Sequence, residues 1–256
     1  MQYYLQLFCK ARCFPIMNYT GNYKSFAVFS LLLFCLITPV PGAENAGVPV
    51  ASFSTSVADQ DDNVKRNISI ACDRLQGVVI SPNSVFSFND TVGEGSSKNG
   101  FVMGRVMYRD SIVMEPGGGL CQVSSTLFNA LLMAGCVIVE RHRHFQPVTY
   151  VPVGLDATIK FGKKDLRMKN PHSHSLRIEI RANERSLNTV ITSDRPLSYR
   201  YEIQTETEDM PMAAGDETDR IRQGITVHVY RKRFSQNRCL DTALLYRDYY
   251  PPVYYR

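Results

Sequence analysis

The chain has 256 residues, 44% of them hydrophobic and 21% charged, enough apolar content for one sizeable domain or two small ones. That balance excludes a disordered polyampholyte, a collagen-like fibre and a polytopic membrane protein. The net charge of +5 is uneven: residues 1–42 carry Lys10, Arg12 and Lys24 and no acid, leaving 26 basic against 24 acidic residues beyond them. The bulk of the chain is therefore near neutral, and no nucleic-acid partner is expected.

Phe26 to Ile37 is an apolar run of twelve residues. That length suits a signal-peptide core, whereas a spanning helix takes about 20 residues. With Pro39, Pro41, Gly42 and Ala43 following, residues 1–42 read as a signal peptide or an uncleaved N-terminal anchor. Either places the remainder outside the cytoplasm, with membrane contact only through this segment. Met17, followed by Asn-Tyr-Thr-Gly-Asn-Tyr-Lys and the apolar run, reads as a more ordinary start than Met1.

Beyond this leader the reading predicts a lead-in at 43–66, a main domain at 67–195 and a strand-containing C-terminal extension at 196–256. Asp61 or Asp62 caps a predicted helix over Asn63–Gln76, whose Val64, Ile68, Cys72 and Leu75 share one face before Gly77 ends it. Val78–Ile80 and Val85–Phe88 are short predicted strands, and Phe101–Met114 a strand pair turning at Arg109-Asp110. A second helix is predicted from Cys121 to Ala134, with a stripe of Val123, Leu127, Leu131 and Ala134 and a stop at Gly135. Further strands are predicted at Val137–Glu140, Val148–Val151, Ala157–Phe161, Leu176–Ile180, Val190–Thr192 and Ile225–Tyr230. Two main helices early and strands late give an α+β fold with a mainly antiparallel sheet.

The chemistry-bearing run is Glu115-Pro-Gly-Gly-Gly-Leu-Cys-Gln-Val-Ser-Ser-Thr, residues 115–126. Its glycines permit conformations barred to other residues, and their N–H groups can point into a common space. Cys121 then falls in the first helical turn, where the helix dipole favours a thiolate. Gln122, beside the Cys121 N–H, is placed to donate to an oxyanion. A thiol nucleophile needs a base, and Arg141-His142-Arg143-His144 follows a strand, with the two histidines predicted on one face and the arginines on the other. Asp156 supplies an acid, with Asp165 behind it. Nucleophile at a helix start, His on a following strand and an acid after it is the logic of papain-like and transglutaminase-like cysteine enzymes, and their topology is the specific version of the fold. The structural alternative stands beside it: a glycine-rich turn before a helix and a buried cysteine need no catalysis to explain them. The four cysteines beyond the leader (Cys72, Cys121, Cys136, Cys239) include no C-x-x-C pair, and no metal or cofactor is expected.

The segments NISIACDRLQGVVISPNSVFSFNDTVGEGSSKNGF (67–101), GGGLCQVSSTLFNALLMAGCVIVERHRHFQPVTYVPVGLDATIKFGKKDLRMKN (117–170) and SLRIEI (175–180) resemble the VanW-like family, named from gene clusters for resistance to vancomycin-type antibiotics. Its pattern falls on Phe88-Asn89, Gly117 to Gln122, Ser124 to Thr126, Asn129, Arg141, His144, Gly154, Asp156 and Ala157. Two departures are Phe145 where the family usually has Ser, and Pro82-Asn83 in place of a Pro-Gly turn. The resemblance implies an extracytoplasmic protein of the bacterial envelope. Combined with the residues, it gives a leading expectation of cysteine-dependent acyl transfer or amide hydrolysis on peptidoglycan or its stem peptides. Cys121 is the expected nucleophile, His144 the base, Asp156 the orienting acid, and Gln122 with Gly118 and Gly119 the oxyanion donors. Gly117, Asn89, Arg141, Ser124, Ser125 and Thr126 are the expected binding residues. The competing expectation is a non-enzymatic module that binds wall glycopeptide or an envelope partner.

Overall fold

The computed structural model describes residues 47–108, 111–209 and 220–254; the expectations for 1–42, the start at Met17 and the Arg109-Asp110 turn lie outside these. The expected lead-in is instead partly strand, β1 (Val48–Ser56). Its VPVASFSTS sequence has little apolar alternation, and its conformation is set by pairing along one sheet edge rather than by its own pattern. Helix α1 (Asp62–Leu75) follows, with the Asp61 carboxylate accepting the Val64 N–H at 2.9 Å. The predicted stripe of Val64, Ile68, Cys72 and Leu75 is buried. Next come β2 (Val79–Ile80), β3 (Val85–Ser87) and a short helix α2 (Phe88–Val92) capped by the Ser87 hydroxyl, then the hairpin β4 (Met103–Tyr108) and β5 (Ser111–Pro116).

Helix α3 (Leu120–Met133) is buried on every side: all its residues except Cys121 and Met133 are inaccessible to solvent. It packs against α1 and β1, so the predicted single apolar stripe understates its burial. Its polar residues are accommodated because they bond backward along the helix or across it. Ser125 Oγ donates to the Cys121 carbonyl at 2.7 Å, Thr126 Oγ1 to that of Gln122 at 2.8 Å, and Asn129 Nδ2 to that of Ser125 at 2.7 Å.

The rest of the chain is strand and loop: β6 (Val137–Glu140), β7 (Arg167–Lys169), β8 (Leu176–Ala182), β9 (Ser186–Ser193), β10 (Arg200–Asp209), β11 (Arg220–Arg222), β12 (Ile225–Ser235), β13 (Arg238–Tyr250) and β14 (Val253–Tyr254). A four-stranded sheet runs β1-β9-β8-β2, a three-stranded one β3-β7-β6, and a second three-stranded one β10-β12-β13, every pair antiparallel. The fold is α+β and mainly antiparallel, as expected. Val148–Val151 and Ala157–Phe161 are loop rather than strand, with only single bridges at His142–Thr158 and Lys160–Lys164. Helix α3 tethers the 155–157 stretch instead: Ser125 Oγ accepts the Ala157 N–H at 2.9 Å, and Asn129 Nδ2 donates to the Leu155 carbonyl at 2.7 Å. No helix among the described residues is long and apolar enough to cross a membrane.

Candidate active site

The turn before α3 is glycine because nothing else fits. A Cβ on Gly118 would lie 2.7 Å from the Arg105 carbonyl oxygen, and one on Gly119, at φ +102°, 2.9 Å from Ile68 Cγ1. Asn67, a buried residue of α1 not singled out from sequence, holds this turn down. Its Nδ2 donates to the carbonyls of Val102 (2.9 Å) and Gly118 (3.1 Å), and its Oδ1 accepts the Val102 N–H at 2.8 Å. Within the described residues the backbone N–H groups of Gly118, Gly119 and Cys121 donate to no protein acceptor, whereas the Leu120 N–H reaches the Gly117 carbonyl. The thiol thus sits at the positive end of a buried helix, partly exposed, beside free N–H donors.

Across from it lies the loop that α3 itself tethers. Cys121 Sγ is 3.5 Å from Thr158 Oγ1 and 3.8 Å from the Ile159 carbonyl oxygen. His144 lies close enough to the thiol for its imidazole to favour the thiolate. Its Nδ1 is 2.6 Å from Asp156 Oδ2, which also accepts the His144 backbone N–H at 2.6 Å. Nδ1–H donation to the carboxylate assigns the tautomer and leaves Nε2 for the thiol. The Tyr150 ring stands edge-on to the imidazole, centroids 6.4 Å apart. The structure therefore pairs His144 with Asp156 and sets that pair near the Cys121 thiol.

The electrostatics differ sharply between cysteines. Burial pushes Cys72 and Cys136 up to about 12. Burial also works against the Cys121 thiolate, but the hydrogen bond and charge of His144, with the Ile159 backbone and Thr158 hydroxyl, outweigh it and hold the thiol below its ordinary 9.0. Burial likewise opposes the imidazolium, yet the bonds to Asp156 and Cys121 raise His144 to about 9. Asp156 is depressed despite burial, because His144, the Arg141 charge and the Tyr250 hydroxyl favour its ionised form. These shifts all favour the ionised forms, a thiolate and an imidazolium backed by a carboxylate.

These shifts fix a pH dependence of stability. Asp156 is depressed below 3.8, so its contribution is present above pH 3.8 and is lost as pH falls through its folded value. His144 is raised from 6.5 to about 9, so its contribution is full below pH 6.5 and is lost as pH rises through 9. Cys121 is depressed from 9.0 and acts with the opposite sign: its contribution grows as pH rises from its folded value to 9.0. The fall in the wild-type urea midpoint as pH rises toward about 9 is therefore expected to be offset in part by Cys121. In Cys121→Ala the midpoint should fall without that offset once pH passes 6.5, and over a narrower range, because Asp156 alone still raises His144.

Other expected site residues are placed differently. Gln122 is no oxyanion donor. Its Nε2 donates to the Ser56 carbonyl at 2.7 Å and to Thr55 Oγ1 at 3.1 Å, and its Oε1 accepts from Gln60, so the amide fastens α3 to β1. Ser124, Ser125 and Thr126 are buried within the protein, where Ser125 and Thr126 make structural bonds rather than facing a ligand. Asn89 is buried and holds residues 164–165, its backbone N–H donating to the Asp165 carboxylate and its Nδ2 to the Lys164 carbonyl. The predicted alternation of histidines and arginines is broken because β6 stops at Glu140: His142 turns to Glu140 at 3.0 Å, while Arg141 and His144 both turn to Asp156. Arg141 is an internal clamp, not a ligand-binding residue, with its side chain 5% exposed. It donates to the Asp156 and Gly154 carbonyls (2.7 and 3.0 Å), to Asp156 Oδ1 (3.2 Å) and to Asp248 Oδ2 (2.7 Å).

A family model described as "VanW like protein" matches residues 63–192. The chain is 40% identical over 143 residues to "Uncharacterized protein YoaR" of Bacillus subtilis strain 168, covering 56% of this chain and 46% of that protein. It is 26% identical over 147 residues to "Vancomycin B-type resistance protein VanW" of Enterococcus faecalis strain ATCC 700802 / V583, covering 56% of this chain and 54% of that protein. The chain thus spans about half the length of the curated relatives it matches. No solved structure matches it, so the papain- or transglutaminase-like version of the topology gains no support from that side. The matched stretch takes in half the chain, including the glycine turn, α3 and the His144–Asp156 pair, and the chain belongs to the VanW-like family.

Proposed function

We propose that the chain is an envelope protein that performs cysteine-dependent acyl transfer or amide hydrolysis on peptidoglycan or its stem peptides. The observation that carries this reading is the His144–Asp156 pair set near Cys121 at the start of α3, with that thiol lowered while Cys72 and Cys136 are raised. The Cys121 thiolate attacks the carbonyl carbon of a peptide amide, and the N–H groups of Cys121 and Gly119 receive the oxyanion. Collapse of the tetrahedral species breaks the C–N bond, the His144 imidazolium giving its proton to the leaving amine. Water, or an acceptor amine, then attacks the thioester with His144 as base, and the thiolate is released.

The wall as substrate is supported by the name of the Enterococcus relative, a vancomycin resistance protein. A cleft of about 400 Å³, lined by Arg141, His142, Arg143, Phe145, Lys164 and Asp248, lies along the loop that carries His144. Arg141 and Asp248 neutralise one another there, leaving Arg143 and Lys164 to favour a carboxylate-bearing peptide. An extracytoplasmic location rests on the leader-like 1–42 segment. The test is muropeptide profiling of cells expressing wild type or Cys121→Ala: a changed profile with wild type only supports the reading. Identical profiles, with purified protein that still binds wall sacculi, would favour the binding module instead.

A further inference from the structure

Three residues of β13, Tyr246, Asp248 and Tyr250, alternate along the strand and so share one face. Each reaches the machinery around Asp156. The Tyr246 hydroxyl donates to the Gly154 carbonyl at 2.8 Å, and Asp248 pairs with Arg141 Nη1 at 2.7 Å. The Tyr250 hydroxyl accepts the Gly154 N–H at 3.3 Å and donates to Asp156 Oδ1 at 2.5 Å. Tyr250 is wholly buried, in a small apolar cluster with Val227 and Val229 of β12 and Val151 and Leu155 of the loop. The fit is close enough that a Cβ on Gly154 would lie 2.9 Å from Val227 Cγ1. The Arg143 guanidinium lies over the Tyr250 ring at 5.2 Å and donates to the His144 carbonyl at 2.7 Å. The β12 and β13 residues in this set all lie beyond residue 192, where the family match ends.

We infer that the C-terminal hairpin β12–β13 is a working part of the reactive centre, with Tyr250 a positioning residue for Asp156 and, through it, for His144. This inference rests on the proposed thiol chemistry. The phenol supplies the second Oδ1 donor beside Arg141 and bridges residues 154 and 156, so it fixes the carboxylate that in turn fixes the imidazole. Without the hydroxyl the carboxylate keeps only Arg141 on Oδ1 and is held less firmly against His144, and the local potential becomes more negative. Both changes disfavour the Cys121 thiolate.

The experiment compares wild type, Tyr250→Phe, Tyr246→Phe and Tyr249→Phe, the last on the opposite face of the strand and 45% exposed. Iodoacetamide alkylation of Cys121 is followed by peptide mass spectrometry across pH, and solvent exchange of the His144 Nδ1–H by NMR. Tyr250→Phe keeps the buried ring and is expected to raise the pH at which Cys121 becomes reactive. It should slow alkylation at pH 7 by about three- to tenfold and speed Nδ1–H exchange. Tyr246→Phe should act in the same direction and less, and serves in place of Tyr250→Phe if that variant does not fold; Tyr249→Phe should match wild type. A Tyr250→Phe protein with wild-type alkylation and wild-type exchange would overturn the inference while leaving the thiol chemistry standing. An ordinary thiol titration in wild type would instead remove the proposed function, and the exchange comparison alone would then decide whether Tyr250 holds the His144–Asp156 bond.

Discussion

Replacing Arg141 by methionine should destabilise the chain by about 3–5 kcal/mol, because removing one partner leaves buried charges uncompensated. Methionine keeps much of the volume but none of the five donors, so Asp156 and Asp248 lose their shared cation. The carbonyls of Gly154 and Asp156 lose their donors as well. The stacking over Tyr246 at 4.4 Å goes with them. Arg141→Lys should recover little, since a point charge cannot serve four acceptors spread around a planar fork. Urea denaturation at pH 7 measures both, and the loss should shrink at acid pH, where protonation relieves the stranded carboxylates.

His144→Ala should have the opposite profile. It should lower turnover on a wall-derived peptide by about 10²–10⁴, the usual worth of a positioned acid–base group. Stability should change far less, because His144 lies at the edge of the core with its side chain 11% exposed, and Asp156 keeps Arg141 and Tyr250 as donors. Asp156→Asn is expected to resemble His144→Ala in turnover, since an amide NH₂ facing Nδ1 favours the wrong tautomer. A chain in which His144→Ala lost fold rather than turnover would point to a packing histidine. The two substitutions together separate what holds the loop from what reacts on it.

Much of this was legible in the sequence, for reasons that differ by element. Helix α1 announced itself through the Asp61 cap and a clean four-residue stripe, both of which are local signals. The Gly-Gly-Gly-Leu-Cys run and the pairing of His144 with Asp156 were legible because few residue types can do what those positions require. Gln122 was misplaced because an amide next to a nucleophile reads the same whether it faces substrate or β1, and helix rotation decides which. Arg141 was misplaced because a charged residue is ordinarily exposed, and only its fourfold bonding explains its burial. Strands β10 and β13 were not predicted: β10 is rich in Glu and Thr and lies paired along one edge, and the residues of β13 that matter are three side chains separated by ordinary surface positions. Nothing local in Tyr246, Asp248 and Tyr250 signals a target some 90 residues earlier in the chain, at Gly154 and Asp156.

The central claim is that Cys121 is a thiolate held by His144, and the pH dependence of its alkylation tests it most directly. Wild-type protein is treated with limiting iodoacetamide from pH 5 to 10, and modification is read peptide by peptide, the exposed Cys239 reporting in the same sample. Cys121 should react well below its ordinary 9.0, with His144→Ala moving the midpoint upward and Cys72 and Cys136 staying silent in the folded chain. A Cys121 midpoint at or above 9.0, unmoved by His144→Ala, would contradict the account.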